Sequence, residues 1–269
     1  MGKDYWHNLD PTWFNIGFIS IRYYTVFFMA AIVGGYFLFR WQARRGDYPA
    51  HATRELLILS VPMTLIGARL GHCLFYQPEY YLRHPAKILL FWKGGLASHG
   101  ALISMVVILI LAARSFRRPA LDVLDRFTFV GALGAALVRL GNFFNSEVVG
   151  RETAVPWGVR FVRYDAGSRL RHPSQLYEFV MGLVCLGILV VADRKWGGER
   201  RPVGGLSAVF LVAYFSARFL VEFTKEFQRS MGSSSLTLGQ YLSIPPVLIG
   251  LWLLVRVFRE RRRITGKST

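Results

Sequence analysis

Seven apolar stretches dominate this sequence and limit what the chain can fold into. A helix needs about 20 apolar residues to cross the roughly 30 Å hydrocarbon core of a bilayer, because it rises about 1.5 Å per residue. The stretches are bounded by charged residues, glycine or proline, and they cover residues 20–40, 55–76, 96–114, 126–145, 175–193, 204–224 and 239–258. The sequence therefore predicts an all-α polytopic membrane protein with seven transmembrane helices, in which residues 1–269 form a single integral membrane domain.

The composition of the chain supports a membrane location. Of the 269 residues, 53% are hydrophobic and 18% are charged, which excludes a disordered chain. Lys and Arg number 33 against 16 acidic residues, giving a formal net charge of +17. In a soluble protein this excess would suggest nucleic-acid binding, but here the basic residues lie mostly in the short connectors between apolar stretches. We therefore expect them to face anionic lipid headgroups rather than nucleic acid.

The basic residues are distributed unevenly between the two sets of alternating connectors. The set that includes the C-terminal tail holds more Lys and Arg than the set that includes the N-terminus. By the positive-inside rule, the C-terminus and the basic tail 259–269 are predicted to be cytoplasmic and the N-terminus periplasmic. The N-terminal segment MGKDYWHNLD has neither the apolar region nor the cleavage site of a signal peptide, so we expect that nothing is removed from it.

The longest connector, residues 146–173, is predicted to form a small periplasmic head. Within it Val159 and Phe161 alternate with Arg160 and Arg163 around a Tyr-Asp-Ala-Gly turn, a pattern typical of a β-hairpin.

The two cysteines give no sign of a disulfide or a metal site. Cys73 and Cys185 both lie inside apolar stretches, and we expect them to be small buried hydrophobic residues.

Apart from the arginines at or near the ends of the predicted spans, which we count with the connectors, three arginines lie inside the spans: Arg69, Arg139 and Arg218. Each would cost roughly 2.5 to 3.5 kcal/mol at the centre of a membrane helix, so each must face protein, water or a ligand. Three acids inside or near the spans offer one explanation, a neutral network: Glu147, Glu178 and Glu222. The other explanation is that the arginines bind an anionic ligand.

The spacing of polar residues favours a ligand. On the sixth span four polar residues fall on one helical face, at i, i+4, i+8 and i+11: Tyr214, Arg218, Glu222 and Lys225. A polar stripe on a membrane helix is typical of a cavity lining. Arg139, with Asn142 three residues later, lies where the fourth span ends. Because arginine binds phosphate oxygens in pairs, two such side chains on adjacent helices suggest a buried phosphate ligand.

Two further segments contain polar residues at helix starts. In KGGLASHGAL, residues 93–102, His99 heads the third span and is either an interfacial residue or a base, since histidine exchanges protons near neutral pH. In HPSQLYE, residues 172–178, Pro173 and Ser174 are typical helix-start residues, which places the following Gln, Tyr and Glu in the first turn. This segment is either an ordinary helix start or part of the site.

Several motifs resemble one known family. The run VRLGNFFNSEVVGRET is similar to the signature of the prolipoprotein diacylglyceryl transferases, and GGLASHGA, HPSQLYE, RFLVEF and LTLGQYLSIP resemble further blocks of that family in the same order. The resemblance extends from Arg22 to about Pro246. It implies a bacterial inner-membrane enzyme of seven spans that moves the diacylglyceryl group of phosphatidylglycerol to the lipobox cysteine thiol of a prolipoprotein. A thioether forms, glycerol phosphate is released, and no metal or organic cofactor is needed.

The same resemblance implies roles for residues in this sequence. The residues with implied catalytic roles are His99, Arg139, Arg218 and Tyr214. The residues with implied substrate-binding roles are Tyr24, Arg69, Asn142, Glu147, Gly150, Arg151, Gln175, Tyr177, Glu178, Glu222, Lys225 and Gln240. The chain departs from the family pattern at Lys225, where a second arginine is expected, and at His72, Ser98 and Ala101. Lys225 keeps the positive charge but loses the planar fork of arginine.

The implied chemistry does not fix how the cysteine thiolate forms, and two alternative functions also fit some of the sequence features. The cysteine must become a thiolate, either because His99 accepts its proton or because the arginines lower its pKa. A transporter of anionic lipid would also carry intramembrane arginines, but the chain shows no inverted halves. An intramembrane hydrolase could use His99 with Ser98, Ser104 or Ser174, although no GxSxG motif occurs. Transfer of lipid to a peptide, as opposed to cleavage, distinguishes the enzyme classes.

Overall fold

A computed structural model describes residues 4–17, 19–90, 95, 97–226 and 236–265, without the side chains of residues 19, 98, 99 and 261–265. Its helices are α1 (Tyr23–Arg45), α2 (Ala52–Phe75), α3 (Pro78–Arg83), α4 (Ser98–Ser115), α5 (Ala120–Phe144), α6 (Val162–Asp165), α7 (Ser174–Lys195), α8 (Gly205–Val221) and α9 (Leu238–Thr265). Six of these are long and apolar enough to cross a membrane, and α4 contributes a shorter apolar helix, Gly100–Ser115. The predicted all-α polytopic membrane fold is therefore confirmed.

The helices do not begin and end where the apolar stretches do. Helix α5 begins at Ala120, so Asp125 and Arg126 lie inside it, although the predicted fourth span begins only at residue 126. Charged residues end an apolar stretch, but a helix can continue past them into the headgroup region. The predicted polar stripe on the sixth span is also shorter than expected. Helix α8 ends at Val221, a 3₁₀ turn covers Glu222–Thr224, and Lys225 follows in extended backbone.

The chain divides into two compact units, a smaller unit of residues 40–124 and a larger unit of residues 1–39 and 125–269. In the smaller unit α2 packs closely on α4. A Cβ added at Gly100 would lie 2.2 Å from the carbonyl oxygen of Gly67, so these helices can approach only because no side chain intervenes. Cys73 is buried in this unit, as expected.

The larger unit is built from α5, α7, α8 and α9, with α7 against α8 and α8 against α9. Its core cluster consists of Phe129, Ala132, Cys185, Leu189 and Leu206, all almost fully buried. The burial of Cys185 agrees with the prediction. These apolar contacts hold the helices that carry most of the candidate site residues.

Five short strands complete the larger unit: β1 (Tyr5–His7), β2 (Thr12–Ile16), β3 (Ile19–Arg22), β4 (Val159–Phe161) and β5 (Leu170–Arg171). Strands β4 and β5 pair in antiparallel orientation, which confirms the predicted hairpin. The connection contains the one-turn helix α6, so Arg163 is helical and not part of the strand alternation. Strand β1 adds to β4 in parallel, a pairing between distant parts of the chain that the sequence pattern did not predict.

Candidate active site

The first turn of α7 places two polar side chains in the interior of the larger unit. Gln175 and Glu178 are three residues apart on one helical face, and both are buried. The Nε2 atom of Gln175 donates a hydrogen bond to the carbonyl oxygen of Glu147 (2.7 Å), and the Ser174 hydroxyl donates to that of Val148 (3.0 Å). These bonds fix the start of α7 to the segment that follows α5, and the predicted helix start at Ser174 is confirmed.

The carboxylate of Glu178 forms ion pairs with three cations from other parts of the larger unit. Its oxygens lie 3.0 Å from Nε of Arg139, 3.5 Å from Nη1 of Arg218 and 3.0 Å from Nζ of Lys225. We call these four residues the Glu178 cluster. One negative charge, in a side chain that is only 1% exposed, thus faces three positive charges.

The two arginines of this cluster keep hydrogen-bond donors that no group in the described part of the chain uses. Their side chains are 21% exposed for Arg139 and 23% exposed for Arg218, so both reach beyond the buried carboxylate. Arg139 also donates from Nη1 to Oδ1 of Asn142 (3.3 Å). Within the part of the chain that the structure describes, the contact with Glu178 is the only ion pair or hydrogen bond of the Arg218 guanidinium. The cluster can therefore accept an additional anion.

Lys225 links the cluster to the start of α9. Its Nζ atom also lies 3.1 Å from the carboxylate of Glu222. That carboxylate packs against Gly239, where an added Cβ would come within 2.4 Å of it. The neighbouring Gln240 is buried, and its Oε1 accepts a hydrogen bond from the backbone N–H of Thr237 (2.9 Å). Glu222 and Gln240 thus position α9 beside Lys225.

A second line of contacts leads from Arg139 to the end of α5. Nδ2 of Asn142 donates to one oxygen of Glu147 (3.2 Å), and Nδ2 of Asn145 donates to the other (3.1 Å). Tyr24, in the first turn of α1, packs on Gly141 and interacts electrostatically with Glu147 and Arg139. In the described structure, amide groups and not cations therefore hold the Glu147 carboxylate.

Tyr214 lies one helical turn before Arg218 on α8. Its ring stacks on Phe210, with ring centroids 5.2 Å apart, and packs against the apolar core of the unit. It interacts electrostatically with Glu178 and with both arginines. Tyr214 therefore lies between the core and the cluster, and its implied catalytic role stays a prediction.

The remaining predicted residues of the larger unit lie where the helices meet the head. Gly150 forms a β-bridge with Lys225, and the backbone N–H of Arg151 donates to the carbonyl of Thr224 (2.9 Å). The Tyr177 hydroxyl accepts a hydrogen bond from Nε1 of Trp157 (2.7 Å) and lies 3.1 Å from Nδ1 of His172. Partial burial and the charge of Arg151 lower the pKa of His172. Neither His172 nor Trp157 is among the site residues predicted from the sequence.

Two predicted site residues belong to the smaller unit. The buried guanidinium of Arg69 donates to the backbone carbonyls of Ile88 (3.0 Å), Lys87 (2.8 Å) and Gly95 (3.2 Å). Arg69 thus has the structural role of an intramembrane arginine that binds backbone carbonyls. His99 lies in the first turn of α4, and its side chain is outside the described residues. Its proposed role as a base stays a prediction.

The serines of the hydrolase alternative are engaged elsewhere, as far as the structure describes them. The Ser104 hydroxyl donates to the carbonyl of Ala101 (2.9 Å), and the Ser174 hydroxyl donates to that of Val148, as noted above. The side chain of Ser98 lies outside the described residues. Neither hydroxyl is hydrogen-bonded to a histidine among the described side chains, and each donates to a backbone carbonyl instead.

A second buried polar cluster, absent from the sequence analysis, lies at the other ends of α5, α7 and α8. Its members, which we call the Asp125 cluster, are Asp125, Arg126, Asp193, Glu199, Arg201 and Ser207. Asp125 accepts hydrogen bonds from the backbone N–H groups of Gly204 and Ser207 (2.7 Å each) and from the Ser207 hydroxyl (2.6 Å). Arg201 pairs with Asp193 (3.0 Å), and Arg126 pairs with Glu199 (2.7 Å). Asp125 and Asp193 lie at the edges of apolar stretches, where a charged residue is common and gives no sign of burial.

Comparisons with known proteins agree with the motifs. The family model for prolipoprotein diacylglyceryl transferase matches residues 11–256. Proteins named phosphatidylglycerol–prolipoprotein diacylglyceryl transferase are similar along nearly their whole length. The one from Chloroherpeton thalassium is 42% identical over 94% of both chains, and the one from Porphyromonas gingivalis is 37% identical over 94% of both. The one from Cupriavidus pinatubonensis is 38% identical over 94% of this chain and 93% of its own. This chain therefore belongs to the prolipoprotein diacylglyceryl transferase family.

Proposed function

We propose that this protein transfers the diacylglyceryl group of phosphatidylglycerol to the lipobox cysteine of prolipoproteins, the first step of bacterial lipoprotein maturation. Family membership supports the reaction, and the names of the relatives give both substrates. The structural observation that carries the proposal is the Glu178 cluster, where two arginines and a lysine surround one buried carboxylate and keep free donors. Such an arrangement fits the phosphate of the lipid headgroup.

The reaction breaks one bond and forms another at an sp³ carbon. The cysteine thiolate attacks the glyceryl carbon that carries the phosphate ester, a C–S bond forms, and the C–O electron pair stays on the departing glycerol phosphate. Negative charge therefore develops on the phosphate in the transition state. The forks of Arg139 and Arg218 can bind that charge in pairs of hydrogen bonds, and Lys225 adds a point charge.

Glu178 lowers the energetic cost of placing three cations close together inside a membrane protein. Three unpaired cations would each carry a desolvation cost of several kcal/mol, whereas a buried carboxylate that contacts all three offsets part of it. Because Glu178 uses Nε of Arg139 and Nη1 of Arg218, other donors of both guanidinium groups stay available. We infer that Glu178 orients the forks and does not react itself.

The thiolate can arise in two ways, which a single variant separates. If His99 accepts the thiol proton, His99→Gln should lower turnover by about 10² to 10⁴, the usual contribution of general-base catalysis. If the arginines lower the thiol pKa instead, the loss of turnover should be far smaller. Turnover of the variant should then increase as the pH is raised toward ~8.5, the pKa of a free thiol. The assay follows transfer to a synthetic lipobox peptide over a pH series, with bound lipid quantified to exclude misfolding. A variant within about threefold of the parent near pH 7 would remove His99 as the base.

The proposed reaction requires a defined orientation in the bacterial inner membrane. The excess of Lys and Arg in one set of connectors supports a cytoplasmic C-terminus with the tail 259–269, a periplasmic N-terminus and a periplasmic head at residues 146–173. Reporters fused after Arg118 or Arg200 should be cytoplasmic, and a reporter within residues 151–171 should be periplasmic. A cytoplasmic head would contradict both the orientation and the placement of the site.

The function itself is tested with purified protein in nanodiscs that contain phosphatidylglycerol. We expect a synthetic lipobox peptide to gain the mass of a diacylglyceryl group, and a peptide with serine in place of cysteine to gain nothing. A lipid hydrolase would release product without modifying the peptide, and a transporter would leave both molecules unchanged. Depletion of the protein in its parent cell should cause unmodified prolipoproteins to accumulate.

A further inference from the structure

Three short segments of the larger unit pair through their backbones where the helices meet the head. They are residues 150–152, 170–172 and 224–226, which we call the three-segment ribbon. Gly150 donates to the carbonyl of His172 (3.0 Å), and His172 donates to that of Arg151 (3.0 Å). Bridges between Gly150 and Lys225 and between Glu152 and Arg171 extend the pairing.

This ribbon joins the ends of the helices that carry the Glu178 cluster. The segment 150–152 follows α5, which carries Arg139. The segment 170–172 precedes α7, which carries Glu178, and the segment 224–226 follows α8 and contains Lys225. Because Lys225 lies beyond the end of α8, in extended backbone with φ −85° and ψ 157°, the helix no longer fixes its position. The ribbon provides the backbone contacts that do.

The side chain of Arg171 holds the ribbon together. It is 4% exposed, and its Nε donates to a carboxylate oxygen of Asp165 (2.7 Å). Its Nη1 donates to the carbonyl of Gly150 (3.1 Å) and lies 3.4 Å from the carboxylate of Glu226. The Tyr164 hydroxyl donates to the same Glu226 carboxylate (2.6 Å). One guanidinium therefore contacts the segments on both sides of its own.

The close packing around Gly150 leaves no room for a side chain at this position. A Cβ added there would come within 2.4 Å of the carbonyl oxygen of His172 and 2.7 Å of that of Thr224. The three segments therefore meet at contact distance, and a displacement of one is passed to the others. Losing the Arg171 contacts would free the segment that carries Lys225 to move.

We propose that Arg171 is a positioning residue for the transfer reaction, an inference that rests on the proposed function. It holds Gly150 and the segment 224–226 so that the Lys225 ammonium stays on Glu178, where the departing phosphate gains charge. Arg171 is not part of the Glu178 cluster and acts through Lys225. Displacement of a catalytic group by about 1 Å can cost up to about 10²-fold in rate, so this indirect role has a measurable size.

The first test compares two arginine variants from the same part of the head. Arg171→Met keeps the length and the apolar stem of the side chain but loses its polar contacts. The matched control is Arg169→Met, because Arg169 is 58% exposed and pairs only with Glu152 in the described structure. We expect Arg171→Met to lower kcat per folded molecule by about 10- to 10²-fold, with KM for phosphatidylglycerol changed by less than about threefold. Arg169→Met should stay within about twofold of the parent.

The second test asks whether the effect passes through Lys225. In a double-mutant cycle, Arg171→Met should lower kcat much less in a Lys225→Met background than in the parent, because the group it positions is already absent. A purely structural role would give the same loss in both backgrounds. Equal losses, or a kcat of Arg171→Met within about threefold of the parent, would overturn the inference.

Milder variants keep the test decisive if Arg171→Met fails to fold. Arg171→Lys keeps the charge but not the fork, and Glu226→Gln removes one ion pair and leaves the other contacts in place. Both should lower kcat by less than Arg171→Met would, and both losses should shrink in the Lys225→Met background. If the parent transfers no lipid, the proposed function fails. If the parent is active and these variants match it, only the role of Arg171 fails.

Discussion

The two ends of α7 carry buried charged groups that use the same chemistry in different ways. Near its start, Glu178 contacts Arg139, Arg218 and Lys225. Near its end, about 22 Å away along the helix axis, Asp193 pairs with Arg201 in the Asp125 cluster. The arginines of the Glu178 cluster are 21% and 23% exposed, whereas the side chains of Arg126 and Arg201 are 4% and 3% exposed.

The two clusters also differ in their balance of positive and negative charge. The named members of the Asp125 cluster are two arginines and three acids, so among the described contacts this cluster shows no surplus of positive charge for an anion. The Glu178 cluster, counted with Glu222, has three cations and two acids. An enclosed cluster with surplus acid can only lock helices together. An open cluster with surplus cation can bind phosphate, and this difference separates a structural ion pair from a ligand site.

Replacing the arginine forks should give the largest effect on activity. Arg139→Lys and Arg218→Lys keep the charge but lose paired hydrogen bonding, so each should lower kcat by about 10² to 10³, the range seen when one donor to a developing anion is removed. The measurement is transfer to a lipobox peptide per folded molecule. The matched control is Arg201→Lys, which should reduce stability and leave kcat per folded molecule near that of the parent.

Two outcomes would break the comparison between the clusters. Full activity in both Arg139→Lys and Arg218→Lys would reduce the Glu178 cluster to a neutral structural network, the alternative that the sequence also allowed. An equal loss of kcat in Arg201→Lys would show that the reaction depends on both ends of the unit. Comparison of kcat with the folded fraction of each variant distinguishes these results.

The sequence predicted the open cluster far better than the enclosed one. Arg139 and Arg218 stand out because a charge inside an apolar stretch is costly, and Glu178 follows a helix-start signal. Asp125 and Arg126 border an apolar stretch, where charges are common and carry no such signal. Only the structure shows that α5 begins before them and that both are buried.

The backbone contacts of the three-segment ribbon lay beyond sequence analysis for a different reason. Gly150 and Lys225 pair although they are far apart in the chain, and no local pattern indicates such a bridge. The extended backbone at Lys225 also interrupts a helical periodicity that the spacing alone favoured. Local spacing therefore singled out Arg139 and Arg218 as candidates, whereas tertiary contacts determine how the cations reach Glu178.

Removing the acid of the enclosed cluster should affect stability and not chemistry. Asp125→Ala leaves three donors without their acceptor: the N–H groups of Gly204 and Ser207 and the Ser207 hydroxyl. We expect the free energy of unfolding to fall by about 2 to 3 kcal/mol, because buried donors at a helix start would be unsatisfied. The measurement is thermal or denaturant unfolding in detergent, together with kcat per folded molecule.

Asp125→Asn provides the matched control for this stability effect. Asparagine keeps one acceptor oxygen at the start of α8, so its loss should be about half as large. If Asp125→Ala unfolds like the parent, the cluster does not lock the helices. If the kcat of Asp125→Ala per folded molecule falls as far as that of Arg218→Lys, then the Asp125 cluster is not purely structural, and its distinction from the Glu178 cluster is wrong.

The smallest expected effect concerns the N-terminal strand that covers the head. His7 of β1 is buried, its Nε2 donates to the carbonyl of Phe143 (2.8 Å), and its ring packs on Phe143 and Phe161. Its Nδ1 is buried and has no hydrogen-bond partner in the described structure. Burial lowers the pKa of His7 below its usual value, because a second proton would place a charge where no acceptor lies.

This pKa shift predicts how the strand responds to acid. The folded form binds the proton less readily than the unfolded form, so the contribution of His7 is fully present above about pH 6.5 and is lost as the pH falls through the lowered pKa. Hydrogen-exchange protection of residues 5–7 should therefore decrease between about pH 7.5 and 5.5, after correction for the intrinsic exchange rate. His7→Gln keeps an N–H donor for Phe143 but cannot titrate, so its protection should change little. His172, whose pKa is also lowered, titrates in both proteins, so an equal decrease in parent and variant would assign the pH response to another group.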